Sequence, residues 1–268
     1  MNKKSRVRSV AAVFLLTCTT VMASATWAAA PAAEKAFVDT PNETIQTPRQ
    51  ITFEGTKSGE GYFNADGTKM IFQSERHPGN PFYQMYVKDL ISGKTELISS
   101  GKGKTTCGWI HPSGKKLMYS STHEDPEAKK KQDEEIALRK KPVKGRYAWS
   151  FDDKYEIYSS DLQGKHIRRL TKSPGYDAEG SYSPDGRWIV FASNRAAYTE
   201  KLSAEDQKMF EQDASYMMDI YIMKEDGTNV RRLTDAKGYD GGPFFSADGK
   251  KITWRRFAPS GATAEIYV

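Results

Sequence analysis

The chain has 268 residues, is 38% apolar and carries a formal charge of +6. Such length and composition exclude a disordered chain and suit one sizeable globular domain. Four of the bases, Lys3, Lys4, Arg6 and Arg8, crowd the N-terminus, so the remainder is close to charge balance and shows no electrostatic footprint for nucleic acid.

The basic start runs into an apolar stretch, Val10 to Ala23, and then into SATWAAAPAA, which together read as a secretory signal peptide over residues 1–30. Cys18 follows Leu15-Leu16-Thr17, a poor context for lipid attachment, and its removal leaves Cys107 with no disulfide partner in the chain. An exported chain without disulfides points to a bacterial periplasm, not inserted in the membrane once the signal is cleaved, although envelope partners would keep it membrane-proximal. Residues 31–48, PAAEKAFVDTPNETIQTP, are small, polar and proline-punctuated, a flexible lead.

From residue 49 the chain repeats itself. IRRLTKSPGYDAEGSYSPDG (Ile167 to Gly186) and VRRLTDAKGYDGGPFFSADG (Val230 to Gly249) share RRLT, GYD and DG at the same offsets. Gln50-Ile51-Thr52 to Asp66-Gly67 and Leu97-Ile98-Ser99 to Ser113-Gly114 are fainter copies of the same length. Each copy holds a turn ending in Gly, then an apolar run (KMIFQS, KLMYSS, RWIVFAS, KITWRR), then a strand centred on Tyr86, Tyr158, Tyr221 or Tyr267. Asp before Gly suits a tight hairpin, because Gly takes the positive φ that other residues resist. The step from the central Tyr to the next Leu or Ile is constant (Tyr86 to Ile98, Tyr158 to Leu170, Tyr221 to Leu233), and length varies only between second and third strands. Four short strands per unit at a period in the forties is the pattern of a β-propeller blade. The predicted fold is therefore an all-β propeller over 49–268, with first strands starting near Gly61, Gly108, Gly180 and Pro243 and each apolar second strand buried between blades. Glu265-Ile266-Tyr267-Val268 matches a third strand, so the last blade is expected either to close a ring of four with the Gln50–Thr52 strand or to belong to a larger propeller cut mid-blade, the reading preferred here.

SPDGRWIVFASN, followed by DIYIMKEDGTNVRRLT, resembles the repeats of the TolB-like propeller family, periplasmic relatives of WD-repeat propellers. Only the short lead of residues 31–48 stands where TolB proper has an α/β domain. The resemblance implies a six-bladed pattern and a protein partner. Similar propellers also precede prolyl-oligopeptidase-type hydrolases and zinc aminopeptidase domains, which leaves a second expectation: the propeller of a peptidase whose catalytic domain lies beyond residue 268.

Within the chain there is no G-x-S-x-G or H-E-x-x-H motif and no cofactor fingerprint. His111 falls at the position of Ser183 and Ser246 before a turn and reads as a blade-edge residue. His123-Glu124-Asp125 are adjacent in a loop, a poor spacing for a metal, and no metal site is expected. Two insertions, 123–146 and 196–217, are predicted as polar helices. The first starts with Asp125 as N-cap and Pro126 at the first helical position, with Glu127–Lys131 and Glu135–Arg139 as i,i+4 pairs. The second has Ser203 and Asp206 in a capping arrangement. Few apolar residues anchor either one, so neither is expected to help the core. Both share a face with the connectors before the innermost strands. There Glu60, Asp177, Glu179 and Asp240 are expected to ring the channel mouth and bind a basic peptide or a cation. The expected function is a non-catalytic protein- or peptide-binding scaffold.

Overall fold

The computed structural model describes residues 48–141 and 151–268. The predicted signal segment and nearly all of the lead lie outside the described residues, as does the end of the first insertion.

Blade 1 is an antiparallel sheet of β1 (Ser58–Phe63), β2 (Lys69–Ser74), β3 (Gln84–Asp89) and β4 (Thr95–Leu97) in sequence order. Blade 2 repeats it with β5 (Thr105–Ile110), β6 (Lys116–Ser121), β7 (Glu156–Asp161) and β8 (Arg168–Arg169), and carries α1 (Ala128–Arg139) between β6 and β7. Blade 3 is β9 (Asp177–Tyr182), β10 (Trp188–Ser193), β11 (Met217–Lys224) and β12 (Arg231–Arg232), with α2 (Arg195–Thr199) and α3 (Ala204–Gln212) between β10 and β11. Blade 4 holds β13 (Gly238–Phe245), β14 (Ile252–Phe257) and β15 (Ala264–Tyr267). The all-β propeller architecture stands.

The cores lie between blades. Ile71 and Met85 of blade 1 pack on Ile110, Leu117 and Tyr119 of blade 2, while Met118 and Ile157 of blade 2 pack on Ile189 and Phe191 of blade 3. Adjacent residues of β6 thus serve opposite neighbours, which is why these strands are apolar on both faces. β14 differs from the expectation. It is only half-buried, because no described sheet covers its far side. Gln50–Thr52 form no strand, and Ile51 packs instead on Met70, Phe72 and Tyr86.

The repeated residues each have a task. Ser99, Thr171 and Thr234 accept hydrogen bonds from the backbone N–H of Met85, Ile157 and Ile220 at 2.9–3.0 Å, tying fourth strand to third. The second Arg of RRLT pairs with a buried acid at the start of the third strand, Arg169 with Glu156 and Arg232 with Asp219, both at 2.6 Å. The central tyrosines lie under cations: Arg76 over Tyr86 and Arg195 over Tyr221 at 5.1 Å, Arg256 over Tyr267 at 4.6 Å. In blade 2 the His123 ring replaces the arginine, 4.3 Å from that of Tyr158.

The first strands begin three residues earlier than predicted in blades 1–3 and five earlier in blade 4, and in each the register shifts. Glu60-Gly61 face Phe72 alone, and Cys107-Gly108, Glu179-Gly180 and Gly242-Pro243 do the same in their blades. This is a β-bulge whose first residue is left-handed, with φ of 52° at Glu60 and Cys107, 57° at Glu179 and 62° at Gly242. Its second residue admits the neighbouring blade. A Cβ at Gly108 would overlap Ile71 and Met85.

Gly186 has φ 73°, and a side chain there would collide with the His111 ring, whose Nε2 lies 3.0 Å from the Gly186 carbonyl oxygen. Gly67 has φ 70° but open space around it. Gly186→Val is expected to cost about 1–3 kcal/mol from backbone strain and to lower the melting temperature more than Gly67→Val does.

The turn carboxylate of Asp185 is lowered to about 2 by hydrogen bonds from Ser183 Oγ and the Arg187 N–H and side chain, and those of Asp66 and Asp248 are lowered by similar local bonds. A folded pKa below the unfolded value gives stability that is present above about pH 4 and is lost as pH falls through the folded pKa. Melting temperature should therefore drop between pH 5 and 2, and drop less in an Asp66→Asn, Asp185→Asn, Asp248→Asn triple variant.

Candidate functional site

The bulge brings its first residue to the cavity in every blade, with a side chain in blades 1–3 and a glycine in blade 4. Glu60, Cys107, Glu179 and Gly242 occupy equivalent positions and line one cavity of about 1410 Å³. Three residues earlier in each copy come Lys57, Lys104, Tyr176 and Tyr239, which line the same cavity. Two residues later come Tyr62, Trp109 and Phe244, whose rings meet across blades 1, 2 and 4 with centroids 4.7–6.1 Å apart. Ser181 stands at that position in blade 3, and its hydroxyl donates to the Pro243 carbonyl at 2.8 Å. The cavity is thus a stack of rings with an aromatic cluster beside the polar bulge positions.

Glu179 is the best-held of the bulge carboxylates. It accepts the Gly242 N–H of the next blade at 2.5 Å and the Tyr239 hydroxyl. Burial raises its pKa, while those two bonds and nearby Arg255 lower it. The Cys107 thiol is pushed up by burial and by the charges of Glu179 and Glu60, and its sulfur lies 3.2 Å from Thr106 Oγ1. One hydrogen bond of this set thus crosses from blade 4 to blade 3, from Gly242 to Glu179. Glu60 accepts the Tyr62 hydroxyl through one oxygen at 2.5 Å and is exposed to the cavity.

The other two predicted mouth carboxylates lie elsewhere. Asp177 is 0% exposed and bound to Arg195 and Ser193 at 2.6 Å, and Asp240 is 1% exposed and bound by two 2.6 Å contacts to Arg256. The bulge explains the difference, because it breaks the alternation that would otherwise put residues two apart on one face. A residue two places before the bulge sits opposite the end of its own second strand, where Asp177 pairs with Ser193 and Asp240 with Arg256. These acids fix the arginines that cover the central tyrosines. His123, Glu124 and Asp125 turn to three separate partners, the Tyr158 ring, Arg169 and Lys131.

Both insertions reach the cavity, through Glu135 and Arg139 of α1 and through Asp213, Ser215 and Tyr216 after α3. α3 has the predicted cap, with Ser203 Oγ accepting the Asp206 N–H at 3.1 Å. α1 starts later than predicted. Its N-cap is Glu127, while Asp125 accepts the Glu127 N–H in a turn before the helix. The Glu135–Arg139 pair forms, whereas Lys131 turns to Asp125 and Asp152 and Glu127 pairs with Lys130. Nor is α1 loose decoration. Buried Gln132 accepts the Gly103 N–H at 3.0 Å, and Arg139 reaches Glu75 of blade 1 at 2.8 Å. Apolar patterning missed this anchor because it is polar. Gln132→Leu is expected to destabilise by about 1–3 kcal/mol by orphaning the Gly103 N–H, read as a lower midpoint in urea unfolding.

No family model matches the chain. An uncharacterized protein of Agrobacterium fabrum is 32% identical over 103 residues, covering 38% of this chain and 29% of that protein. A TolB homolog of Chlorobium luteolum is 29% identical over 37% of this chain and 28% of its own length. The chain therefore spans under a third of the curated relatives it matches. Among solved structures, TolB of Acinetobacter baumannii superposes with a TM-score of 0.52 at 24% identity, over 78% of this chain and 40% of that one. A putative TolB of Agrobacterium tumefaciens gives 0.51 at 19% identity, over 80% and 67%. The fold is that of a TolB-like propeller.

Proposed function

We propose that this TolB-like propeller is an exported, periplasmic scaffold that binds a protein or peptide segment without catalysis. The observation that carries the reading is the cavity. It is about 1410 Å³, lined by repeat-equivalent residues of all four blades and flanked by both insertions. Loops on a rigid scaffold are where binding residues gather, and here all the length variation between blades falls on the cavity side. Tyr62, Trp109 and Phe244 supply the rigid aromatic area that anchors peptide contacts. Strained residues cluster at binding sites, and three of the four bulge residues are left-handed without being glycine. Relatives described as TolB, one of them a Tol-Pal system protein of Bordetella pertussis, support an envelope protein as the partner class. The basic and apolar N-terminal pattern supports export.

The test is selection of peptides from a random displayed library on the full chain. Peptides recovered on wild type should bind about tenfold or more weakly to Trp109→Ala, as loss of an anchoring aromatic predicts, and to a variant with 200–213 shortened. They should bind unchanged to Asp248→Lys on the opposite turns. Loss through the turn variant with retention by both cavity variants would place binding on the other face and overturn the reading.

A further inference from the structure

Gln73 is 6% exposed, lines the cavity, and among the described residues its Oε1 has no hydrogen-bond partner. A buried amide carbonyl without a donor is costly, so one carried by a residue that lines a cavity marks where a donor from outside belongs once the side chain turns toward it. Its surroundings define that donor. Gln73 lies opposite Gly59 in the β1–β2 ladder, and the next residue is the bulge residue Glu60. Directly opposed residues project to the same face. Gly59 presents no side chain, and a Cβ there would meet nothing within 4 Å, so the space before Gln73 is open.

The charged groups nearby narrow the choice further. Lys57 and Arg139 both turn to Glu75, and Lys104 pairs with Asp152. Glu179 is held by Tyr239 and Gly242. Glu60 spends one oxygen on the Tyr62 hydroxyl, and no base lies within ion-pair distance of it among the described residues. An exposed carboxylate and an orphan carbonyl on neighbouring ladder positions are both acceptors, and they ask for a compact group with several N–H donors and a positive charge. Aromatic rings beside them add attraction for a cation.

We propose that the cavity holds a subsite for a primary ammonium group, with the Glu60 carboxylate and the Gln73 carbonyl as its acceptors. The ammonium is a peptide N-terminus or a lysine side chain. The inference rests on the peptide-binding reading above and adds its chemical selectivity.

Calorimetric titration of the full chain with Ala-Phe-Ala amide, N-acetyl-Ala-Phe-Ala amide and N-acetyl-Lys-Phe-Ala amide tests it. At least one ammonium-bearing peptide should bind about tenfold or more tightly than the acetylated one without lysine, as expected for a charge-assisted contact. Which of the two does so identifies the source. Glu60→Gln, at an exposed position, should keep the melting temperature and abolish the advantage, and Gln73→Leu should reduce it. Equal binding of all three peptides, or an advantage retained in Glu60→Gln, would overturn the ammonium subsite while leaving peptide binding intact. Absence of binding by every peptide would count against both.

Discussion

The left-handed bulge in each inner strand is the constraint on which the rest of the site depends. Two residues face one across the ladder, and in this protein the first takes positive φ in every blade and lines the cavity. In blade 4 the same twist turns the Gly242 N–H toward the preceding blade, where Glu179 accepts it. One kind of backbone irregularity therefore supplies a blade-to-blade bond in blade 4 and a cavity-lining side chain in blades 1–3. Glycine would suffice for the geometry alone, as at Gly242. Glu60, Cys107 and Glu179 accept a strain of about 1–2 kcal/mol each for a β-carbon in this region, so their side chains bring something the backbone does not need.

Packing outside the bulge turns variation toward one end of the molecule. Second strands are sandwiched between neighbouring blades, and Gly108 lets Ile71 and Met85 approach so closely that no side chain fits there. The turns on the far end are locked into adjoining blades as well. Gly164 abuts the Ile98 carbonyl and Gly227 the Leu170 carbonyl. Only the links between second and third strands are free to lengthen, and they open beside the cavity. The polar anchoring of α1 by Gln132 and Arg139 follows from this position. A helix over a cavity rim has little apolar surface beneath it, so hydrogen bonds to Gly103 and Glu75 fix it instead.

Much of the fold was legible because a propeller repeats its instructions. The Asp-Gly turns, the central tyrosines and the Thr of RRLT could be aligned by offset, and each offset corresponds to one bond in the structure. The site was half legible. Glu60 and Glu179 were found as equivalent acids, but Asp177 and Asp240 were grouped with them because a count of residues does not show the bulge. That extra residue reverses which side of the strand each faces. Tyr62, Trp109 and Phe244 carried the same offset signal as the acids and were readable as a ring once the repeats were aligned. Gln73 carried no signal at all, since an amide beside a strand end is ordinary until its partners are counted. The late start of α1 is not legible in the sequence, because Asp125-Pro126 makes a turn as readily as a cap.

The electrostatics of the cavity follow from which charges are already spent. By composition its lining is nearly balanced, with Lys57, Lys104, Arg139 and Arg255 against Glu60, Glu75, Glu135, Glu179 and Asp213. Balance of that kind would give no selectivity if the charges were free. Arg139 is shared between Glu75 and Glu135, Lys104 faces Asp152, and Arg255 lies over the Tyr239 and Phe257 rings and helps offset the half-buried Glu179. Paired charges at short range cancel at the distance of a ligand, and salt screens what is left. An exposed carboxylate on a bulge stands outside these pairs, so it contributes field that its neighbours do not cancel. A near-balanced charge composition is thus compatible with the selectivity proposed for the cavity, since few unspent charges are needed once the others are tied down.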